Sequence, residues 1–341
     1  MSNRYTFKRG FRILKAMAKD QTDLVNKHLP AIGIINSMRS GGNMLNRLLD
    51  SHPQLLTNHS ETFFGIFSDS SEKSNYQLRR FKENYDKNFN IKKIFRYLIE
   101  NDFNHISSSK HGWVKTNYNQ PLRYNYNYDL HYKHFHQSLK NFPDCKYRKI
   151  LDIYTSSFFE SFSNLNTSKK KYFNTYWPNF SLYKTNIKNF FKIYPDGHLI
   201  FIVRDPLQWA ASCKKRRPNQ FSIGYVRSFY EKPILNCLDF IKSKSKILIV
   251  DFDDLIFNTQ NTMMMLLKQL KLDTNNSIST KPTFHGKRII GNSINSELRT
   301  FKINKKITKK YKSILTKNER DNITKKFNKC YQEIIRYKIS N

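Results

Sequence analysis

Between one apolar run and the next lies Ser37-Met38-Arg39-Ser40-Gly41-Gly42-Asn43, a turn rich in small residues. Such a turn lets backbone N–H groups come close to a ligand. A helix starting at its end adds a partial positive charge, so the segment suits an anion. Arg39 supplies a permanent cation there. Much later in the chain Arg204 ends an apolar run, and Ser212 lies eight residues further on. A forked guanidinium with a hydroxyl two helical turns away suits a phosphate. A nucleotide kinase or NTPase would need Gly-x-x-x-x-Gly-Lys-Ser/Thr, with the Lys on the terminal phosphates and the hydroxyl on Mg²⁺. Positions 42 and 43 are Gly and Asn, which argues against that class. No His/Cys/Asp group has ligand spacing, so no metal is expected.

These residues need elements to hold them. Ala31–Asn36 reads as a short buried strand, and Met44–Leu49 has its apolar positions on one helix face. His52-Pro53 ends that helix. A second strand is expected at Leu55–Asn58, a third at His198–Val203 and a fourth at Lys246–Val250. Apolar runs this short and this continuous suit parallel strands buried on both faces, and the helical patterns between them suit βαβ units. Residues 65–180 are rich in Tyr, Phe, Asn and Lys and show no comparable strand. They are expected to form a mostly helical insertion over the ligand-binding edge of the sheet. Near the C-terminus Thr316-x-x-Glu319 is a capping box, followed by Ile323, Phe327, Cys330, Tyr331 and Ile334 at helical spacing.

With these elements in place the sequence resembles the sulfotransferases that use 3′-phosphoadenylyl sulfate, in their bacterial and carbohydrate branch. That branch carries Arg-Ser-Gly-Thr-Thr and then Leu-Leu-Asp-Ser-His-Pro; here stand Arg39–Asn43 and Leu48–Pro53. Its Phe-Pro-Asp-Ala-Lys, Val-Arg-Asp-Pro and following Ser are matched by Tyr194–His198, Val203–Pro206 and Ser212. Phe252-Asp253-Asp254-Leu255 and Gly291-Asn292-Ser293 match later elements in the same order. The resemblance runs from residue 31 to about 330 and leaves 65–180 largely uncovered. It implies an α/β fold: a P-loop NTPase-like three-layer sandwich with a central parallel sheet and a helical, aromatic-rich insertion. The domain would span 30–341 behind a basic leader, 1–29.

The resemblance also implies roles. Arg39, Ser40, Gly41, Gly42 and Asn43 would hold the 5′ end of the donor, and Arg204 with Ser212 its 3′-phosphate. Arg39 and Lys184, or Lys115 in place of Lys184, would neutralise charge at the sulfuryl group. Glu61 would be the general base, because a carboxylate can take the proton of an attacking hydroxyl. His59 is the second candidate. Asn186 stands where another branch has its catalytic His and cannot act as a base. The acceptor would be a hydroxyl, expected on a glycan. Two departures stand out. Gly42 and Asn43 replace two Thr, removing two hydroxyl donors, and Asp251 replaces a residue that is often basic.

Sixty basic against twenty-six acidic residues give a net charge of +34, which favours an anionic partner. Charge alone also supports a non-catalytic module for nucleic acid or another polyanion, but no base-stacking or helix-turn-helix signature accompanies it, and no specific nucleic acid is expected. Fifty aromatic side chains (20 Tyr, 27 Phe, 3 Trp) are ample for a core. No apolar run approaches the ~20 residues of a membrane span, and no secretory leader is evident, so a cytoplasmic protein is expected. The leader is expected to be solvated, a basic membrane-surface contact being the alternative. Cys145, Cys213, Cys237 and Cys330 lack paired spacing, and free thiols are expected.

Overall fold

The computed structural model describes residues 29–50, 52–61, 90–102, 113–114, 122–123, 127–141, 147–161, 171–274, 281–284, 287–288 and 311–340. Lys115, Gly291-Asn292-Ser293 and the leader up to residue 28 lie outside the described residues. The chain divides into two compact units. One contains Met1–Leu29, Asn84–Glu100 and Asn104–Lys169; the other contains Pro30–Glu83, Asn101–Phe103 and Lys170–Asn341.

The larger unit is built on a five-stranded sheet of β1 (Ala31–Asn36), β2 (Leu55–Glu61), β3 (Tyr172–Pro178), β4 (His198–Val203) and β5 (Ile247–Asp251). The spatial order is β2-β3-β1-β4-β5 and every neighbouring pair is parallel. Ile34 of β1 lies opposite Tyr176 on one side and Ile200 on the other. Ile32, Ile34, Ile35, Ile200, Phe201 and Ile202 are wholly buried, as continuous apolar strands in a parallel sheet must be. Helices α1 (Gly42–Leu49), α5 (Lys184–Ile193), α6 (Pro206–Arg216), α7 (Lys232–Lys242), α8 (Phe252–Phe257), α9 (Thr259–Gln269) and α10 (Lys317–Ile335) belong to the same unit. The four strands expected from sequence are present. The fifth, β3, lies inside the segment read as helical, between β1 and β2.

β3 escaped the sequence pattern because Asn174 and Thr175 interrupt its apolar run, yet both are wholly buried. A buried amide needs partners. Asn174 Nδ2 donates to Asn46 Oδ1 of α1 at 2.8 Å, and Asn46 Nδ2 donates to the Asn58 carbonyl of β2 at 2.8 Å. These bonds tie α1 to β2 and β3 where their register shifts between Thr57 and Glu61. The carbonyl that Asn46 takes is therefore at the irregularity leading to Glu61. At the C-terminus the capping box forms as expected. Thr316 Oγ1 accepts from Glu319 N, and Glu319 Oε2 accepts from Thr316 N at 2.7 Å. Ile323, Phe327, Cys330 and Ile334 are buried. Cys213, Cys237 and Cys330 are free and buried.

The smaller unit contains α2 (Ile91–Asp102), of which residues 101 and 102 fall outside it, with α3 (Tyr128–Lys140) and α4 (Tyr147–Glu160). Phe95 lies at the centre of an aromatic cluster, with His131 at 4.8 Å, Tyr132 at 5.1 Å and Phe135 at 5.3 Å between ring centroids. His131 Nε2 lies 3.1 Å from the Tyr154 carbonyl, and His134 Nδ1 lies 3.9 Å from Glu160 Oε2. Burial pushes the Glu160 carboxyl up to about 8. The folded state thus holds that proton more tightly than the unfolded chain does. The contribution favours folding below the ordinary range near 4.5 and is lost as pH rises through about 8. His131, pushed down to about 3 by burial, acts in the opposite direction between about 3 and 6.5. Glu160→Gln is expected to flatten the fall in melting temperature between about pH 4.5 and about pH 8. An unchanged slope in the variant would place the buried ionisation elsewhere.

Candidate active site

β1 ends at Asn36, and the chain turns through Ser37 to Gly41 into α1. Arg39 (φ 69°) and Gly41 (φ 96°) both adopt left-handed backbone, which is uncommon for a residue with a Cβ. Alternation of this kind turns successive N–H groups toward one concavity. Gly41 is the N-cap of α1, and no side chain caps the helix there, which leaves its N-terminal donors to a ligand. A Cβ at Gly41 would lie 2.5 Å from the Phe252 ring. Glycine at 41 therefore satisfies both the dihedral and the close packing of α8 on the loop.

Three hydrogen bonds between the loop and the β4–α6 region fix it. Trp209 Nε1 donates to the Met38 carbonyl at 2.6 Å, and Arg204 Nη1 donates to the Arg39 carbonyl at 3.1 Å. Arg39 Nε donates to Ser212 Oγ at 3.3 Å. From the other side, Asn179 Oδ1 accepts from Met38 N at 3.3 Å. The structure thus brings together Arg39, Arg204 and Ser212, which the sequence placed far apart. Asp205 caps α6 by accepting from Gln208 N at 2.9 Å, and Pro206 starts the helix, which aims Ser212 back at the loop.

Arg204 is 5% exposed, and its guanidinium lies over the Phe252 ring at 4.3 Å. Its Nε has no hydrogen-bond partner, and no described carboxylate is within ion-pairing distance. Burial pushes its pKa down to about 10, with Asp253 opposing the fall and Arg39 adding to it. A buried cation without an anionic partner is costly, and a bound anion relieves it. The buried Ser37 and Ser40 hydroxyls and Asn43 Oδ1 also lack partners. Unsatisfied polar groups gathered on one turn mark a ligand site more readily than a packed one.

Glu61 is the last residue of β2, and its backbone lies opposite Tyr176 of β3. The side chains of His59 and Glu61 lie outside what is described. Lys184 begins α5, is exposed and pairs with Asp239 of α7; no hydrogen bond or ion pair joins it to the loop. Asn186 is buried and donates to the Phe180 carbonyl at 3.1 Å. Asp251 caps α8 by accepting from Asp253 N at 3.2 Å, which explains an acidic residue at that position. Burial raises its pKa to about 6. Trp209, Asn179 and Tyr230, whose hydroxyl donates to the Arg204 carbonyl at 2.7 Å, carry no mark in the sequence pattern, and Phe252 stands there only as part of a matched element. Their aromatic or amide character is common throughout this chain.

A model of the sulfotransferase family matches residues 30–276, a span that contains the loop, Arg204, Ser212 and the whole sheet. The chain belongs to the sulfotransferase family. This sulfotransferase shares its fold with the sulfotransferase domain of the Synechococcus PCC 7002 olefin synthase. The two are 15% identical, with a TM-score of 0.52, over 88% of this chain and 94% of that one. It is also similar to the sulfotransferase domain of the curacin biosynthetic pathway, at 14% identity over 88% and 98% of the two chains and a TM-score of 0.47. Sulfotransferase STF9 from Mycobacterium avium is 12% identical over 92% and 80%, with a TM-score of 0.41. No curated protein matches the sequence. Among the described residues, no helix is long and apolar enough to cross a membrane.

Proposed function

We propose that this sulfotransferase moves a sulfuryl group from 3′-phosphoadenylyl sulfate to a hydroxyl of a carbohydrate. The observation that carries the reading is the buried Arg204, without an anionic partner, hydrogen-bonded to the loop whose own Arg39 donates to Ser212. Two anion-binding features side by side fit a donor with phosphate at both its 3′ and 5′ positions. Arg204 and Ser212 would hold the 3′-phosphate, and the 39–43 turn with the start of α1 the 5′ end. The donor supplies the sulfuryl group and a phosphate leaving group. Arg39 would compensate the charge that develops on that phosphate, and Glu61 would take the acceptor proton. Lys184 would serve as a second cation only by leaving Asp239. The cationic residues Lys215, Arg216 and Arg217 at the exposed end of α6, just beyond Ser212, add to the attraction for an anionic nucleotide.

The test is calorimetric titration with 3′-phosphoadenosine 5′-phosphate and with 5′-AMP. The bisphosphate should bind more tightly by tenfold or more, about the value of one charge-assisted hydrogen bond set. Equal affinities would remove the donor assignment. Because the guanidiniums would supply the charge compensation, turnover is also expected to survive EDTA. Loss of activity in EDTA that Mg²⁺ or Mn²⁺ restores would contradict this.

A further inference from the structure

Gly42 is the first residue of α1, and unlike Gly41 it lacks a positive φ, so the backbone itself would accept a side chain there. The space would not. A Cβ at position 42 would lie 2.2 Å from Tyr176 Cε2, 2.9 Å from Cδ2 and 3.0 Å from Cζ. Tyr176 stands on β3, the strand beside β1, and is 6% exposed, so its ring has little freedom to withdraw. The edge of the ring that bears on Gly42 runs toward Cζ, and the phenol oxygen is one bond beyond. The same turn carries the unpartnered hydroxyl of Ser40 and Asn43 Oδ1, and α1 starts there without a side-chain cap. Tyr176 is also the register partner of Glu61.

We propose that Tyr176 is a further donor-binding residue: its ring occupies the volume of a side chain at position 42, and its O–H donates to the anionic group held at the N-terminus of α1. Gly42 and Tyr176 are then a single device built from two strand-loop positions. The turn receives its hydroxyl from the adjacent strand, and glycine at 42 leaves room for it. A phenol held on a strand also loses less rotamer freedom on binding than a short hydroxyl at a helix start. The inference rests on the donor reading above.

The experiment compares wild type, Tyr176→Phe, Gly42→Thr and Gly42→Thr/Tyr176→Leu. Calorimetry measures binding of 3′-phosphoadenosine 5′-phosphate and of adenosine 3′-phosphate, which lacks the 5′ group. Melting temperatures are recorded without nucleotide. Tyr176→Phe should weaken the bisphosphate about tenfold or more and leave adenosine 3′-phosphate nearly unchanged. Gly42→Thr should lower the melting temperature, because an overpacked site must distort. The double variant should recover most of that loss, because removing the ring makes room for the threonine. Equal weakening of both nucleotides in Tyr176→Phe, or weakening of neither, would overturn the phenol's role. A double variant that melts no higher than Gly42→Thr would overturn the exchange of volume. If wild type binds neither nucleotide, the donor reading fails and the phenol's role falls with it, while the melting temperatures still decide the packing claim.

Discussion

Arg204→Ala is expected to abolish the preference for 3′-phosphoadenosine 5′-phosphate over 5′-AMP. Arg204 is positioned from three sides. β4 delivers it, Phe252 supports its guanidinium at 4.3 Å, and Nη1 is occupied by the Arg39 carbonyl at 3.1 Å. What remains is Nε without a partner, in a setting where burial has already pushed the pKa down to about 10. An incoming phosphate converts an expensive buried cation into a buried ion pair, and hydrogen bonds to charged groups contribute ~1.5–3 kcal/mol each. The bisphosphate should therefore lose about one to two decades of affinity in the variant, and 5′-AMP much less. Arg204→Met separates recognition from folding. Methionine retains much of the apolar contact with Phe252 but has no donor and no charge. It should melt at or above wild type and still lose the preference. If either variant keeps the preference while folded, the 3′-phosphate site is elsewhere.

The parts of this fold that were legible in the sequence are those whose burial is purely apolar. β1 and β4 are mostly aliphatic or aromatic runs, broken only by Gly33 and by polar residues at their ends, and each appears where the pattern put it. β3 was not legible, because Asn174 and Thr175 read as loop residues until Asn46 is seen to satisfy Asn174. That pairing joins residues far apart in sequence and leaves no local periodic trace. The candidate site divides the same way. The turn at 39–43 and the Arg204/Ser212 spacing are local and were readable. The hydrogen bonds that join them, from Trp209 to Met38 and from Arg204 to Arg39, are tertiary and were not. Gly42 is the clearest case. Alone it reads as the loss of a hydroxyl, whereas in the fold the ring of Tyr176 fills that space. Lys184, which the resemblance puts at the sulfuryl group, begins α5 and pairs with Asp239, a tertiary contact with no trace in the local sequence.

Glu61→Gln is expected to lower turnover by about 10²–10⁴-fold, the usual contribution of a positioned general base. Two features of the backbone favour Glu61 in that role. Its register partner is Tyr176, and the Tyr176 ring bears on Gly42 at the start of α1, so the end of β2 lies close to the loop that would hold the reacting end of the donor. The strand also shifts register just before Glu61, and Asn46 holds the Asn58 carbonyl at 2.8 Å at that shift. An irregularity of this kind re-aims the residues that follow it, which is how edge strands often present a side chain to a site. Glutamine keeps the size and loses the basicity, so binding of 3′-phosphoadenosine 5′-phosphate should barely change while sulfuryl transfer at saturating donor falls. The pH profile gives a second reading. The limb that reports ionisation of the base should disappear from the residual activity of the variant. If Glu61→Gln turns over at the wild-type rate while His59→Ala does not, the base is His59. If neither changes the rate, the acceptor hydroxyl is deprotonated by a group outside β2.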